Sequence, residues 1–506
     1  MWVRRKETAL RNPSNYYNWS DELWADKDCI LAAVRVDGRA LANADTSLRA
    51  DREVVLSAVR QTGWALKYAS KELRADREVV LAAVQQDGWA LEYASDELRA
   101  DREVVLTAVR QSNVLEYVSD DLRADREVVL AAVQWKGDAL GYASDELCAD
   151  REVVLTAVRQ EGIALKYASE DLRAEREMVL TAVQQDGWAL KYASDELRAD
   201  REVVFTAVRQ DCRALRYASE DLRADREIVL AAVRQTGWTL KYASKELRAD
   251  REVVFAAVQQ DGDALEYVSK GLRADREVVF AAVQQDGDAL EYVNKGLRAD
   301  REVVLAAVRQ KGHALRFAAT ELREDREIVL AAVQQGGNSL ANAIGEARVD
   351  REIVLAAVRQ SGYALRYVGP AFQADREVVL AAVQQDSLAL RFADETLLQD
   401  ERFVAEAARR AMRSQDGLFL LARQARVSIL GEPVMMKELL LSALEQGCFN
   451  DVLQTLITKQ KKKGILDALR TVMAWYGIDV PTDTLPNEEN AGNVSDLLAS
   501  AMVKIT

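Results

Sequence analysis

DREVVLAAVQQDGWALEYASDELRA, Asp76 to Ala100, decides the fold, because it recurs with small edits from Asp26 to Asp400. Of the 15 spacings between the 16 opening acids, 14 are 25 residues and one is 24. A short fixed period means that each copy is one supersecondary unit stacked on its neighbours. Within the copy, Asp76 is suited to accept bonds from the free N–H groups of a helix start, and Glu78 places negative charge in the first turn. Val80, Leu81 and Val84 share one helical face and are expected to be buried. Gly stands at the position of Gly88 in 12 of the 15 complete copies, with Asn113, Cys212 and Ser387 in the others. It is expected to end the first helix in the left-handed conformation that a Cβ penalises. A second, shorter helix carries Ala90, Leu91 and Ala94, and Ser95 opens one last turn that buries Leu98.

The expected fold is therefore all-α: an α-solenoid of about 15 two-helix repeats of 25 residues, spanning residues 26–400. Residues 1–25 contain SDELWAD (Ser20 to Asp26), which matches the close of later copies and reads as an eroded half repeat acting as an N-terminal cap. Residues 401–506 lose the period and read as a C-terminal helical cap or small domain. Six apolar side chains per copy cannot offset the ordering of 25 residues, so a lone copy should not fold.

Comparing the copies separates interior from surface. The second-helix Leu, from Leu41 to Leu390, is present in all 15; two residues later stands Tyr in 11 copies, Phe317, Phe392, Asn43 or Asn342. Phe replaces Tyr without its hydroxyl, so this row reads as packing. The 24-residue copy, QSNVLEYV (Gln111 to Val118), is expected to lose its residue at the turn between helices. The Arg after each opening acid, Arg52 to Arg376, opposes the helix dipole and is expected to pair with acids such as Asp96 or Glu97.

The unit DREVVLAAVQQDGWALEYASDELRAD resembles the tandem repeats called domain of unknown function 4116, over about residues 26–400. The resemblance implies a helical repeat array. It implies no activity and no site residues.

The formal net charge is −14, and residues 26–400 alone carry 51 basic against 66 acidic groups, which disfavours a phosphate backbone as partner. Cys29, Cys148, Cys212 and Cys448 lack metal-ligand spacing and read as isolated substitutions, which favours an intracellular, cytoplasmic setting. The N-terminus has no apolar core of a secretory signal, and no run reaches the length of a membrane span. KQKKKG (Lys459 to Gly464) reads as a solvated turn.

Little chemistry is on offer. His313 is the one histidine and follows a turn Gly, where it reads as an exposed substitution, and no Gly-rich phosphate loop is present. The acids of SDELRADRE (Ser194 to Glu202) have capping roles and lack the pattern of a calcium loop. No catalytic residue, cofactor or metal is expected, and a small-molecule substrate is disfavoured. The informative variable position follows the turn Gly: Trp64, Trp89, Trp188 and Trp238 in four copies, and Asp138, Asp263, Asp288, Arg213 or His313 in others. A site that tolerates Asp and Arg should be open to water, and exposed aromatics mark binding patches. A non-enzymatic scaffold that binds a protein or peptide along this row is the expected function. The alternative is an RNA reader, suggested by the near-alternation of Arg60, Gln85, Arg110, Gln134, Arg159 and Gln184.

Overall fold

The structure is a computed structural model that describes residues 2–400 together with 402, 403, 406, 407, 410 and 471. Two compact units divide the chain, Met1–Arg248 and Ala249–Thr506, and the described residues of each form an all-α solenoid of stacked repeats without strands. The copy at Asp76 shows the plan. A first helix, Arg77–Gln86, is followed by a 3₁₀ helix, Gly88–Tyr93, and by a closing turn of α-helix, Asp96–Arg99. Asp76 caps the first helix by accepting from the N–H groups of Glu78 (3.0 Å) and Val79 (3.1 Å). Ser95 occupies the N-cap of the closing turn, and at Ser169 and Ser194 the hydroxyl accepts from the Leu N–H three residues on.

The buried face of the first helix is Val79, Val80, Ala83 and Val84; Leu81, expected inside, is half-buried. Leu81 instead lines a surface groove with Gln85 of its own helix and Arg60 of the preceding first helix. Ala90 and Leu91 are wholly buried, as are most of their counterparts (Leu390, in the last complete copy, is half-buried), and where Thr239 replaces the Ala its hydroxyl donates to the Thr236 carbonyl at 2.7 Å.

The glycine row has a different cause from the one expected. No turn Gly is left-handed: the only positive φ among the described residues is Gly345 at 58°. The chain leaves the first helix through extended Asp87 (φ −153°), and Gly88 begins the 3₁₀ helix. Its lack of a side chain serves the neighbouring repeat instead. A Cβ on Gly137 would lie 2.4 Å from the backbone carbonyl of Ala157, the helix of the following copy. Two backbones meet at this point, and no rotamer change can relieve the collision.

The arginine row also pairs across repeats, with partners other than those expected. Arg77 donates to Asp101 at 2.8 Å and to Glu103, the cap and first-turn acids of the next copy. Arg151 reaches Glu175 (2.8 Å) and Glu177 (2.6 Å) in the same way. Asp101 thus uses one oxygen to cap its own helix and the other to hold the preceding repeat. A cation in a first turn is tolerated because it lies against the acids of the next first turn. Asp96, named as its partner from sequence, approaches Arg99 instead at 3.7 Å. A backbone bond adds to the linkage: the Ser95 N–H donates to the Arg74 carbonyl at 2.9 Å, and the pattern repeats along each unit.

The short copy absorbs its missing residue in the helices flanking the turn. Its first helix shrinks to Arg102–Val109 and its 3₁₀ helix to Leu115–Tyr117. Val109 and Leu115 remain wholly buried, so the deletion is taken up between two positions that packing holds in place. Residues before Asp26 form all three elements of a repeat: Trp2–Arg11, Pro13–Asn18 and Asp21–Trp24. The sequence shows only the last part, since Arg4 and Arg5 stand where other copies bury valines. At the other end, Phe403 and Ala407 are buried and Asp400 caps their helix start, as in a further first helix. The remainder of the expected C-terminal helical region, with Cys448 and Lys459 to Gly464, lies outside the described residues.

Candidate interaction surface

Successive 3₁₀ helices pack side by side within each unit, and this brings the variable positions into one row. Trp64, Trp89 and Trp188 each reach across to a tyrosine of the next repeat. The ring centroids lie 5.7 Å apart for Trp64–Tyr93, 6.3 Å for Trp89–Tyr117 and 5.4 Å for Trp188–Tyr217. Trp238 packs edge-on against its own Tyr242 at 6.0 Å. Trp64 is exposed, at 41 % of its surface, whereas the other three are half-buried by these ring contacts. The indoles of Trp64, Trp89 and Trp188 are therefore partly joints between repeats, that of Trp238 packs within its own copy, and all four are partly open to solvent. Trp64 and Trp89 fall in consecutive copies; Trp188 and Trp238 are separated by the copy carrying Arg213.

Three residues after the Trp position the sequence again varies in charge (Lys67, Glu92, Lys166, Arg216, Glu266), and the structure sets the cations of this stripe against aromatic rings. Lys166 lies 4.3 Å from the Tyr167 ring centre, Lys191 5.2 Å from Tyr192, and Lys241 4.2 Å from Trp238 and 4.8 Å from Tyr242. Arg213 covers Trp188 at 5.0 Å while pairing with Asp211 at 2.6 Å. These are attractions between cation and ring quadrupole. The signal available in sequence is the recurring Leu-Lys-Tyr or Leu-Arg-Tyr, which sets cation and ring side by side. Elsewhere the same row is acidic. Burial and the neighbouring Glu116 push the Tyr117 hydroxyl up to about 12, and a bond to Glu266, with burial, does the same for Tyr267.

His313 is exposed, with Nε2 2.8 Å from Asp288, and lies among surface charges that include Lys311. Cys29, Cys148 and Cys212 are unbridged, and burial raises the Cys29 thiol to about 11, which keeps it from reacting as a thiolate. A concavity lined by Arg4, Arg5, Asn12 and Asn15 together with Ala9, Trp19 and Leu23 lies in the first described repeat. Among the described residues no helix is long and apolar enough to cross a membrane.

A family model described as domain of unknown function (DUF4116) matches residues 6–49, 51–99, 101–148, 150–198, 200–248, 250–298, 300–344, 350–398 and 375–411. The chain belongs to the DUF4116 family. Most of these matches span two of the 25-residue copies, so one DUF4116 unit is a stacked pair. Such a pair contains a complete Gly-to-carbonyl contact and Arg-to-acid linkage between repeats, which a single copy lacks. No curated protein matches the chain.

Proposed function

We propose that the protein is a non-enzymatic repeat scaffold that binds a protein or peptide along the row of 3₁₀ helices, with Trp64, Trp89, Trp188 and Trp238 as anchors. One contrast supports this reading. The buried rows hardly change from copy to copy, whereas the position after the turn Gly ranges over Trp, Asp, Arg and His at the same place in the fold. Packing cannot demand such a range, and a recognition surface can use it. Aromatic anchors with part of their surface open to solvent are the side chains that dominate interface energetics.

The test is capture of companions from native extract by the full chain and by a variant with all four tryptophans replaced by Asp. The variant should keep its helical circular dichroism, since each indole is at least partly outside the core, and lose its companions. Unchanged capture would reject this row as the binding surface. The RNA reading gains no support: Arg209 and Arg234, then Gln259 and Gln284, break the alternation on which it rested.

A further inference from the structure

Between Ile163 and Tyr242 the row of 3₁₀ helices carries a cation in every copy at one register: Lys166, Lys191, Arg216 and Lys241. None of the four forms an ion pair with a carboxylate among the described residues. Arg216 lies 5.7 Å from the Tyr217 ring centre, so all four are held against aromatic rings. The nearby acids are otherwise engaged. Asp186 accepts from the Trp188 N–H at 2.9 Å, and Asp211 accepts from the Arg213 N–H at 2.9 Å and from its guanidinium. In the same register the three preceding copies hold Glu92, Glu116 and Gly141, which separate this run from Lys67.

We propose that this stretch binds an acidic segment of another protein in extended conformation, with one carboxylate per repeat. The inference rests on the scaffold reading above and assigns the partner its charge. Adjacent layers of packed helices lie about 8–10 Å apart. An extended segment in the polyproline II conformation has three residues per turn and rises about 3.1 Å per residue, so every third side chain returns to the same face about 9 Å further on and meets the next cation. Trp188 and Trp238 supply apolar surface beside the cations for the residues between. A nucleic acid fits less well: Tyr167, Tyr192 and Tyr242 each carry one of the chain's own ammonium groups by the ring, which a base stacking on that face would have to displace.

The test uses the full chain and a fluorescein-labelled peptide of about 15 residues with repeating Glu-Leu-Ser, read by anisotropy at low and physiological salt. Its controls are a peptide of equal composition with the Glu residues gathered at one end, the Gln-for-Glu peptide, and an oligouridine RNA. The spaced acidic peptide should bind most tightly and weaken with salt. Replacing Lys166, Lys191, Arg216 and Lys241 by Glu should raise its Kd by about tenfold or more. Gln at the same four positions should give a smaller loss in the same direction, with unchanged circular dichroism, whereas reversing the first-helix cations Arg159, Arg209 and Arg234 should have little effect. Equal binding by the Glu variant, no preference for spacing, or tighter binding of the RNA would overturn the proposal. If the four Trp→Asp changes weaken capture of native companions while the four charge reversals do not, the scaffold reading stands and the acidic partner falls. If neither set matters, both fall.

Discussion

At the scale of single residues, one substitution within the chain already reports on the cap. Fourteen of the opening acids at Asp26 to Asp375 are Asp, and Glu175 is the exception. Glu175 keeps its bond to Arg151 but makes no side-chain cap, because its longer chain carries the carboxylate past the first-turn N–H groups. Glu175→Asp should restore the cap and raise stability by about 0.5–2 kcal/mol, the usual worth of such a residue. Denaturant melts of the two proteins decide it; an unchanged midpoint would mean that water already serves those N–H groups equally well. The cap row was legible in the sequence because it depends on residues two and three positions away. Its second bond, to Arg of the preceding repeat, was not, since the sequence offers each Arg several acids at similar separation.

At the scale of elements, the contact between the 3₁₀ helix and the next first helix governs how closely repeats approach. Ala is a better helix former than Gly by about 1 kcal/mol, so propensity alone would have Gly137→Ala stabilise the protein. The structure requires the opposite. The added Cβ meets the Ala157 carbonyl at 2.4 Å and the Glu161 side chain at 3.0 Å, and the expected cost is about 1–3 kcal/mol from overpacking. Thermal melting checks the sign. Cys212 places a side chain at this position, and its thiol lies 3.6 Å from the Thr236 hydroxyl of the next repeat. The Gly row was visible from sequence, but left-handed backbone and close approach leave the same mark there.

At the scale of the molecule, repetition turns a small local effect into a summed one. The bonds from Arg77, Arg126 and Arg176 hold Asp101, Asp150 and Asp200 below the usual carboxylate range. Each folded-state carboxyl therefore resists protonation more than its unfolded counterpart. Its contribution is complete above the unfolded value of about 4 and is lost as pH falls through the lower folded value. Because these rungs share one sign, the denaturation midpoint should hold steady from neutral pH to about 5 and fall steeply below about 4. Asp263 opposes this trend: burial, with Asp286 and Asp261 nearby, raises it, and its cost is relieved on acidification. A midpoint that rises continuously as pH falls below neutrality would show that such crowded acids outweigh the arginine rungs.

The sequence by itself determined the helical class, the period, the cap residues and the buried Leu row, because each follows from near neighbours or from comparing copies at a fixed offset. It also exposed the variable row, since what packing leaves unconstrained is free to differ. Only the tertiary structure decided that the second element is a 3₁₀ helix, that the turn glycines make room for a neighbouring carbonyl, and that Trp64, Trp89 and Trp188 join one repeat to the next. It also placed Lys166, Lys191, Arg216 and Lys241 in a single line. These features depend on contacts between residues about 20–30 positions apart, and in near-identical copies a contact within one copy and a contact with the next leave the same sequence pattern.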